Sequence, residues 1–120
     1  LGHQTVLFVC TTCRAGETPQ EGEPVPGARL AQALADANAD GDVEVRPTEC
    51  LSACTQGCSI ALARPGSWTY VYGRLSDADT PDILAGASAY AASPDGIVPW
   101  RQRPVIFRKQ SLARIPPLEL

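Results

Sequence analysis

Histidine occurs once in these 120 residues, at His3, and that scarcity removes several chemistries at once. A Ser/His/Asp arrangement would have to recruit this one terminal imidazole, and an iron–sulfur centre with histidine ligands needs two of them. There is no Gly-rich phosphate loop and no pair of carboxylates in a catalytic context, so hydrolase and kinase chemistry find no support. No apolar run approaches the roughly 18 residues that cross a bilayer. The first residues, Leu1-Gly2-His3-Gln4-Thr5, lack the basic and apolar pattern of a secretion signal. The expected compartment is therefore the cytoplasm, where thiols stay reduced. No internal repeat is visible. The length suits a chain that buries a core without help from disulfides.

Acidic residues are nearly missing from the tail. Residues 1–100 hold five basic and twelve acidic side chains, a net of −7, whereas residues 101–120 hold Arg101, Arg103, Arg108, Lys109 and Arg114 against Glu119, a net of +4. A basic tail lying on an acidic body is one reading, and a docking tail for an acidic partner or anionic ligand is the other. Nucleic acid is not an expected partner, because the whole chain is acidic and its tail is short and broken by prolines. No membrane partner is expected either.

Cysteine is absent outside two short groups. One is Cys10-Thr11-Thr12-Cys13; the other runs Cys50-Leu51-Ser52-Ala53-Cys54-Thr55-Gln56-Gly57-Cys58. Five thiols cannot all pair within one chain, whereas a four-ligand metal site and one spare thiol account for them simply. Two thiol groups far apart in sequence suggest one shared centre that ties two loops together, either an iron–sulfur cluster or a structural zinc.

The intervening sequence says how the groups could meet. Thr5-Val6-Leu7-Phe8-Val9 reads as a buried strand ending at Cys10. Residues 14–26 are rich in Gly, Pro and Glu and read as a loop. Gly27 to about Asn38 reads as a helix with Leu30 and Leu34 on one face. Asp40-Gly41-Asp42 turns the chain into a half-buried strand, Val43-Glu44-Val45-Arg46, which Pro47 and Thr48 end just before the second cysteine group. Ser59–Arg64 and Trp68–Tyr72, joined through Pro65-Gly66, read as a hairpin. A second helix is expected from Pro81 to about Ala92, with Asp77, Asp79 and Asp82 at its start. Its small residues, Gly86 and Ser88 among them, suit close packing on a sheet. The order β-α-β, β-hairpin, α is that of an α/β thioredoxin-like fold. Residues 1–96 are expected to form that unit, and residues 97–120 a proline-rich, irregular, basic extension in which Val105-Ile106-Phe107 adds a short edge strand or docks. Both cysteine groups then follow strand ends on one side of the sheet.

A [2Fe-2S] cluster takes two thiolates per iron, and soft anionic sulfur suits iron bridged by sulfide. The CxxC loop suits one iron and the CxxxC pair the other. Small residues in the second loop, Ser52, Ala53 and Gly57, allow main-chain N–H groups to approach sulfur. Zinc held by the same cysteines is an alternative. A redox dithiol at Cys10 and Cys13 is a third, although such motifs normally lead straight into a helix and this one leads into a loop.

Cys50-Leu51-Ser52-Ala53-Cys54, followed by Gly57 and a strand into an aromatic hairpin, resembles the second ligand loop of thioredoxin-like [2Fe-2S] ferredoxins. Val9-Cys10 resembles the end of their first strand, and the likeness covers roughly residues 5–92. It implies a cluster held by Cys10, Cys13, Cys50 and Cys54, an electron carrier rather than an enzyme, a redox partner protein, and a homodimer as the oligomeric state to consider. Two features depart from that pattern: the first pair is more closely spaced than is usual, and Cys58 falls where proline is common. Cys58 is therefore an alternative ligand at one position. The whole chain, including Asp95–Arg101 and Arg103-Pro104, also resembles a bacterial family of small predicted metal-binding proteins, which implies a metal-related role. Trp68, Tyr70 and Tyr72 sit at strand spacing and are expected to share one packed face, while Trp100 is either a tail anchor or a partner contact.

Overall fold

A computed structural model describes residues 5–12, 22–38, 43–49, 51 and 57–117. Strand β1, Val6–Cys10, leads to helix α1, Pro26–Ala37, and to β2, Glu44–Thr48; the hairpin β3, Ile60–Ala63, and β4, Thr69–Tyr72, follows. A single 3-10 turn at Asp77–Asp79 runs into α2, Thr80–Ala92. After a second such turn at Trp100–Gln102 come α3, Val105–Lys109, and β5, Ser111–Ile115. The five strands among the described residues form one sheet in the order β2-β1-β3-β4-β5. Only the β1–β2 pair is parallel. This is the expected βαβ unit, extended by the hairpin and packed by α2. The expected loop at 14–21 and the turn at 40–42 lie outside the described residues, as does His3. Among the described residues no helix is long and apolar enough to cross a membrane.

The register explains the core. Leu7 faces Leu62, which faces Tyr70; Val9 faces Ile60, which faces Tyr72. Side chains alternate along a strand, so these six lie on one face of the sheet. All are at most 4% exposed, and Leu30 and Leu34 of α1 with Ile83, Ala87 and Tyr90 of α2 complete the same cluster. Each fully buried aliphatic or aromatic side chain contributes about 1.5–3 kcal/mol. On the opposite face Arg46, Phe8, Ala61, Val71 and Ala113 line up across the strands.

Helix ends follow local chemistry. Pro26 occupies the first turn of α1, where its missing N–H costs nothing. The amide of Asn38 closes the far end by donating to the Val43 carbonyl at 2.6 Å. At the start of the 3-10 turn the Ser76 N–H donates to Asp79 Oδ2 at 3.0 Å, so of the acids expected at this helix start Asp79 acts as a cap. Arg64 secures the other end of α2: its guanidinium donates to the Ala91 carbonyl at 2.8 Å and the Ser93 carbonyl at 2.7 Å. A cation on otherwise unpaired terminal carbonyls is favoured by the helix dipole.

The structure differs from expectation in two places. Strand β2 continues through Pro47 to Thr48 instead of ending before them. It is an edge strand, where a residue without N–H is tolerated. The tail is also more ordered than an irregular extension. Of the two expectations for Val105–Phe107 the edge strand fails and docking holds: the segment starts α3, where Pro104, with φ −54°, sets the entry to a helix. Phe107 is buried and stacks on Tyr72, with centroids 3.9 Å apart. Gly86 leaves room for it: a Cβ there would overlap the Phe107 ring. The edge strand lies four residues further on, where β5 pairs with β4.

Candidate metal centre

Cys10 is the last residue of β1 and is fully buried. Its N–H donates to the Ser59 carbonyl at 3.1 Å, so β3 fixes it from one side. From the other side comes the end of β2. Thr11 donates to the Thr48 carbonyl twice, from its N–H at 2.8 Å and from its hydroxyl at 3.3 Å. The Thr12 hydroxyl donates to the Glu49 carbonyl. Cys10 Sγ lies 3.7 Å from that same carbonyl oxygen and 3.8 Å from Thr12 Oγ1. The exits of β1 and β2 are thus tied together up to residues 12 and 49. Cys13 and Cys50 are the next residues in sequence after these two. Cys13, Cys50 and Cys54 themselves lie outside the described residues.

Cys58 lies at the same end of the sheet. It immediately precedes Ser59, the residue bonded to Cys10. It is fully buried among the core side chains. Its N–H donates to the Leu75 carbonyl at 3.3 Å, and its own carbonyl accepts from the Leu75 N–H at 3.1 Å. Cys58 is thus held by the main chain in both directions, with its side chain in the same buried cluster as Cys10.

The aromatic residues fall where strand alternation puts them. Tyr70 and Tyr72 are buried on the helix side of the sheet, and Trp68 is half-buried. Burial pushes the Tyr72 phenol well above its ordinary value, against the opposing charge of Arg103. Tyr90 is raised too, chiefly by burial and against Arg64, and its hydroxyl donates to the Trp68 carbonyl. The Tyr70 hydroxyl is buried with no hydrogen-bond partner among the described residues. Trp100 is 58% exposed. The two threonines between Cys10 and Cys13 carry a role that the sequence reading did not assign. Two hydroxyl residues directly after a strand were the available signal, since such side chains readily bond to nearby main chain.

The sequence from residue 7 to residue 117 matches a family described as "Protein of unknown function (DUF1636)". The chain belongs to this family. No curated protein matches it in sequence. Among solved structures, a thioredoxin-like [2Fe-2S] ferredoxin from Aquifex aeolicus matches with a TM-score of 0.59 and 17% identity, covering 97% of each chain. The wild-type crystal structure of a thioredoxin-like [2Fe-2S] ferredoxin from the same organism matches at 0.58 and 16%, covering 91% of this chain and 96% of that one. A cysteine-to-serine variant of such a ferredoxin gives 0.59 and 15%, covering 91% and 98%. At these identities the likeness is one of fold, and it agrees with the α/β thioredoxin-like architecture read from the strand order. This DUF1636 chain thus shares its scaffold with thioredoxin-like [2Fe-2S] ferredoxins.

Proposed function

We propose that this chain holds a [2Fe-2S] cluster through Cys10, Cys13, Cys50 and Cys54 and works as an electron carrier rather than an enzyme, in a reducing, cytoplasmic setting. One observation supports the reading: the segments leaving β1 and β2 are bonded to one another, through the Thr11 N–H and hydroxyl to the Thr48 carbonyl and the Thr12 hydroxyl to the Glu49 carbonyl, directly before one cysteine of each group. The residues fit the group in kind. Thiolates are the donors an iron–sulfur cluster takes, and Cys10 is already anchored by two neighbouring strands.

When bound, the cluster supplies a one-electron couple between ferric and ferrous iron. The chain supplies position and surroundings. Strand pairing on both sides fixes Cys10, so little of its freedom remains to be lost on ligation. Thr12 Oγ1 lies 3.8 Å from Cys10 Sγ, and its single proton goes to the Glu49 carbonyl, so the side chain fixes the strand exits beside the sulfur. In this ligand set Cys58, held at Leu75 and as fully buried as Cys10, is the cysteine left outside the cluster.

The test is metal analysis of protein purified without oxygen. Iron and acid-labile sulfide at two each per chain, red-brown colour and a rhombic EPR signal after one-electron reduction are the expected results. Colourless protein with one zinc per chain and neither iron nor sulfide would overturn the reading in favour of a zinc protein. Metal-free protein that reduces a disulfide substrate would favour a thiol oxidoreductase.

A further inference from the structure

Four cations meet at one corner of the molecule. Arg108 donates from Nε to the Trp100 carbonyl at 2.9 Å and from Nη2 to the Arg101 carbonyl at 3.0 Å. Lys109 follows Arg108, and its carbonyl lies 3.4 Å from Arg74 Nη2. Arg101, Arg108, Lys109 and Arg74 therefore form a continuous run. Residues 96–117 contain no Asp or Glu, and none of these four makes an ion pair among the described residues. Cations without an ion pair among the described residues repel one another, so charge pairing is not what gathers this cluster.

Within the run stands Trp100, more than half exposed, with the guanidinium carbons of Arg103 and Arg108 5.7 and 5.9 Å from its ring centre. Exposed tryptophan flanked by arginine is the composition of binding hot spots. The corner is also held in place before anything binds. Arg74 has a left-handed backbone, φ 56°, and the Gln110 side chain donates to the carbonyls of Gly73 at 2.9 Å and Arg74 at 2.7 Å. A preformed surface loses little freedom on association. Finally, the residue after Arg74 is Leu75, which pairs with Cys58 in both directions. The corner therefore adjoins the cysteine end of the sheet.

We propose that the corner formed by Trp100, Arg101, Arg108, Lys109 and Arg74 is the docking face for a partner protein that presents an acidic surface, set beside the cysteine end. That the docked partner exchanges electrons rests on the cluster reading above; the docking itself does not. A protein is favoured over nucleic acid by the charge layout. A long polyanion would run past the corner onto a body of net charge −7, whereas a protein can present a local acidic patch to the corner alone.

A fluorescein-labelled deca-glutamate peptide, titrated at low salt and followed by anisotropy, tests this without reference to any metal. The expected result is saturable binding that weakens steeply between 20 and 200 mM salt. Arg74→Glu/Lys109→Glu should weaken it about tenfold or more. Arg29→Glu/Arg46→Glu, with the same net charge but at other sites, should stay within about twofold of wild type. Circular dichroism checks that both variants fold, and the wild-type salt series needs no variant. No binding, equal loss in both variants, or tighter binding of a thymidine oligonucleotide through Arg74 and Lys109 would overturn the proposal. A colourless zinc protein that shows the expected peptide pattern would sink the cluster and leave the docking face standing; red-brown protein without the pattern would do the reverse.

Discussion

The two margins of the sheet are held by different means. At the β1–β2 margin the fastening is main chain and small hydroxyls: Thr11 and Thr12 reach the Thr48 and Glu49 carbonyls. At the β4–β5 margin it is large side chains: Tyr70, Tyr72 and Phe107 stack, and Arg114 lies over Trp68 at 4.6 Å. The first arrangement brings together residues 12 and 49, each of which directly precedes a cysteine. The second fills space. Side-chain truncation should therefore cost stability at the β4–β5 margin and ligand capacity at the β1–β2 margin.

The sharpest way to break that division is at the thiols. Cys10→Ser is expected to abolish or grossly distort the iron signal, and Cys58→Ser to keep it; iron and sulfide analysis with EPR decides. Equal loss at Cys58 would remove the distinction between ligand and spare cysteine. Next in size is Phe107→Ala, expected to cost about 3–5 kcal/mol in urea unfolding while leaving iron content per folded chain unchanged. Gly86→Ala should destabilise in the same direction, by about 1–3 kcal/mol, because the new methyl meets the Phe107 ring.

Alkali offers a smaller, graded test of the same margin. Tyr72 and Tyr90 are held above their ordinary value by burial. Above the unfolded tyrosine pKa of about 10, the folded chain binds more protons than the unfolded one. Stability is then fully present below that pH and falls as pH rises through it, by at most about 1.4 kcal/mol per pH unit for each such tyrosine. Melting temperature against pH should be insensitive to these groups near neutrality and should decline beyond 10; Tyr72→Phe should soften the decline. The smallest effect is expected at Tyr70, whose hydroxyl is buried without a partner among the described residues. Tyr70→Phe should leave stability unchanged or raise it by up to about 1 kcal/mol, since an unpaired buried hydroxyl is itself a cost. A loss above 1 kcal/mol would mean that the hydroxyl is engaged.

Legibility in the sequence followed the same division. The run Val6-Leu7-Phe8-Val9 announces a strand that stops at Cys10, because alternation and β-branching act locally. Both long helices were readable to within a residue or so, since Leu30 and Leu34 mark one buried face and Pro81 the start of the second; Pro26, read as the end of a loop, is the first residue of α1. The tail was harder. Pro104 hides a helix start within a proline-rich stretch, and Phe107 helps fill a space defined by Tyr72 and Gly86, far away in sequence. Gly86 was readable as a site of close packing, but its neighbour is that ring and not the sheet. At the candidate site the position of Cys10 was legible. The ties from Thr11 and Thr12 were not, since bonds to main-chain carbonyls leave no mark on the residues that accept them. Arg74 gave no warning either, because a left-handed arginine is set by its tertiary surroundings and not by its side chain.

The seating of Phe107 against Gly86 and Tyr72 bears on how the chain is made. Translation delivers the cysteine-bearing strands first, and the ring that seals the aromatic layer only some fifty residues after Cys58. Until then Tyr70 and Tyr72 have neither Phe107 nor β5 beside them, and the open margin of β4 is an unpaired edge of the kind that recruits other chains. Synthesis thus passes through an interval in which the cysteine end is already made while the opposite flank is still adhesive, and it is the segment carrying Phe107 and β5 that ends it.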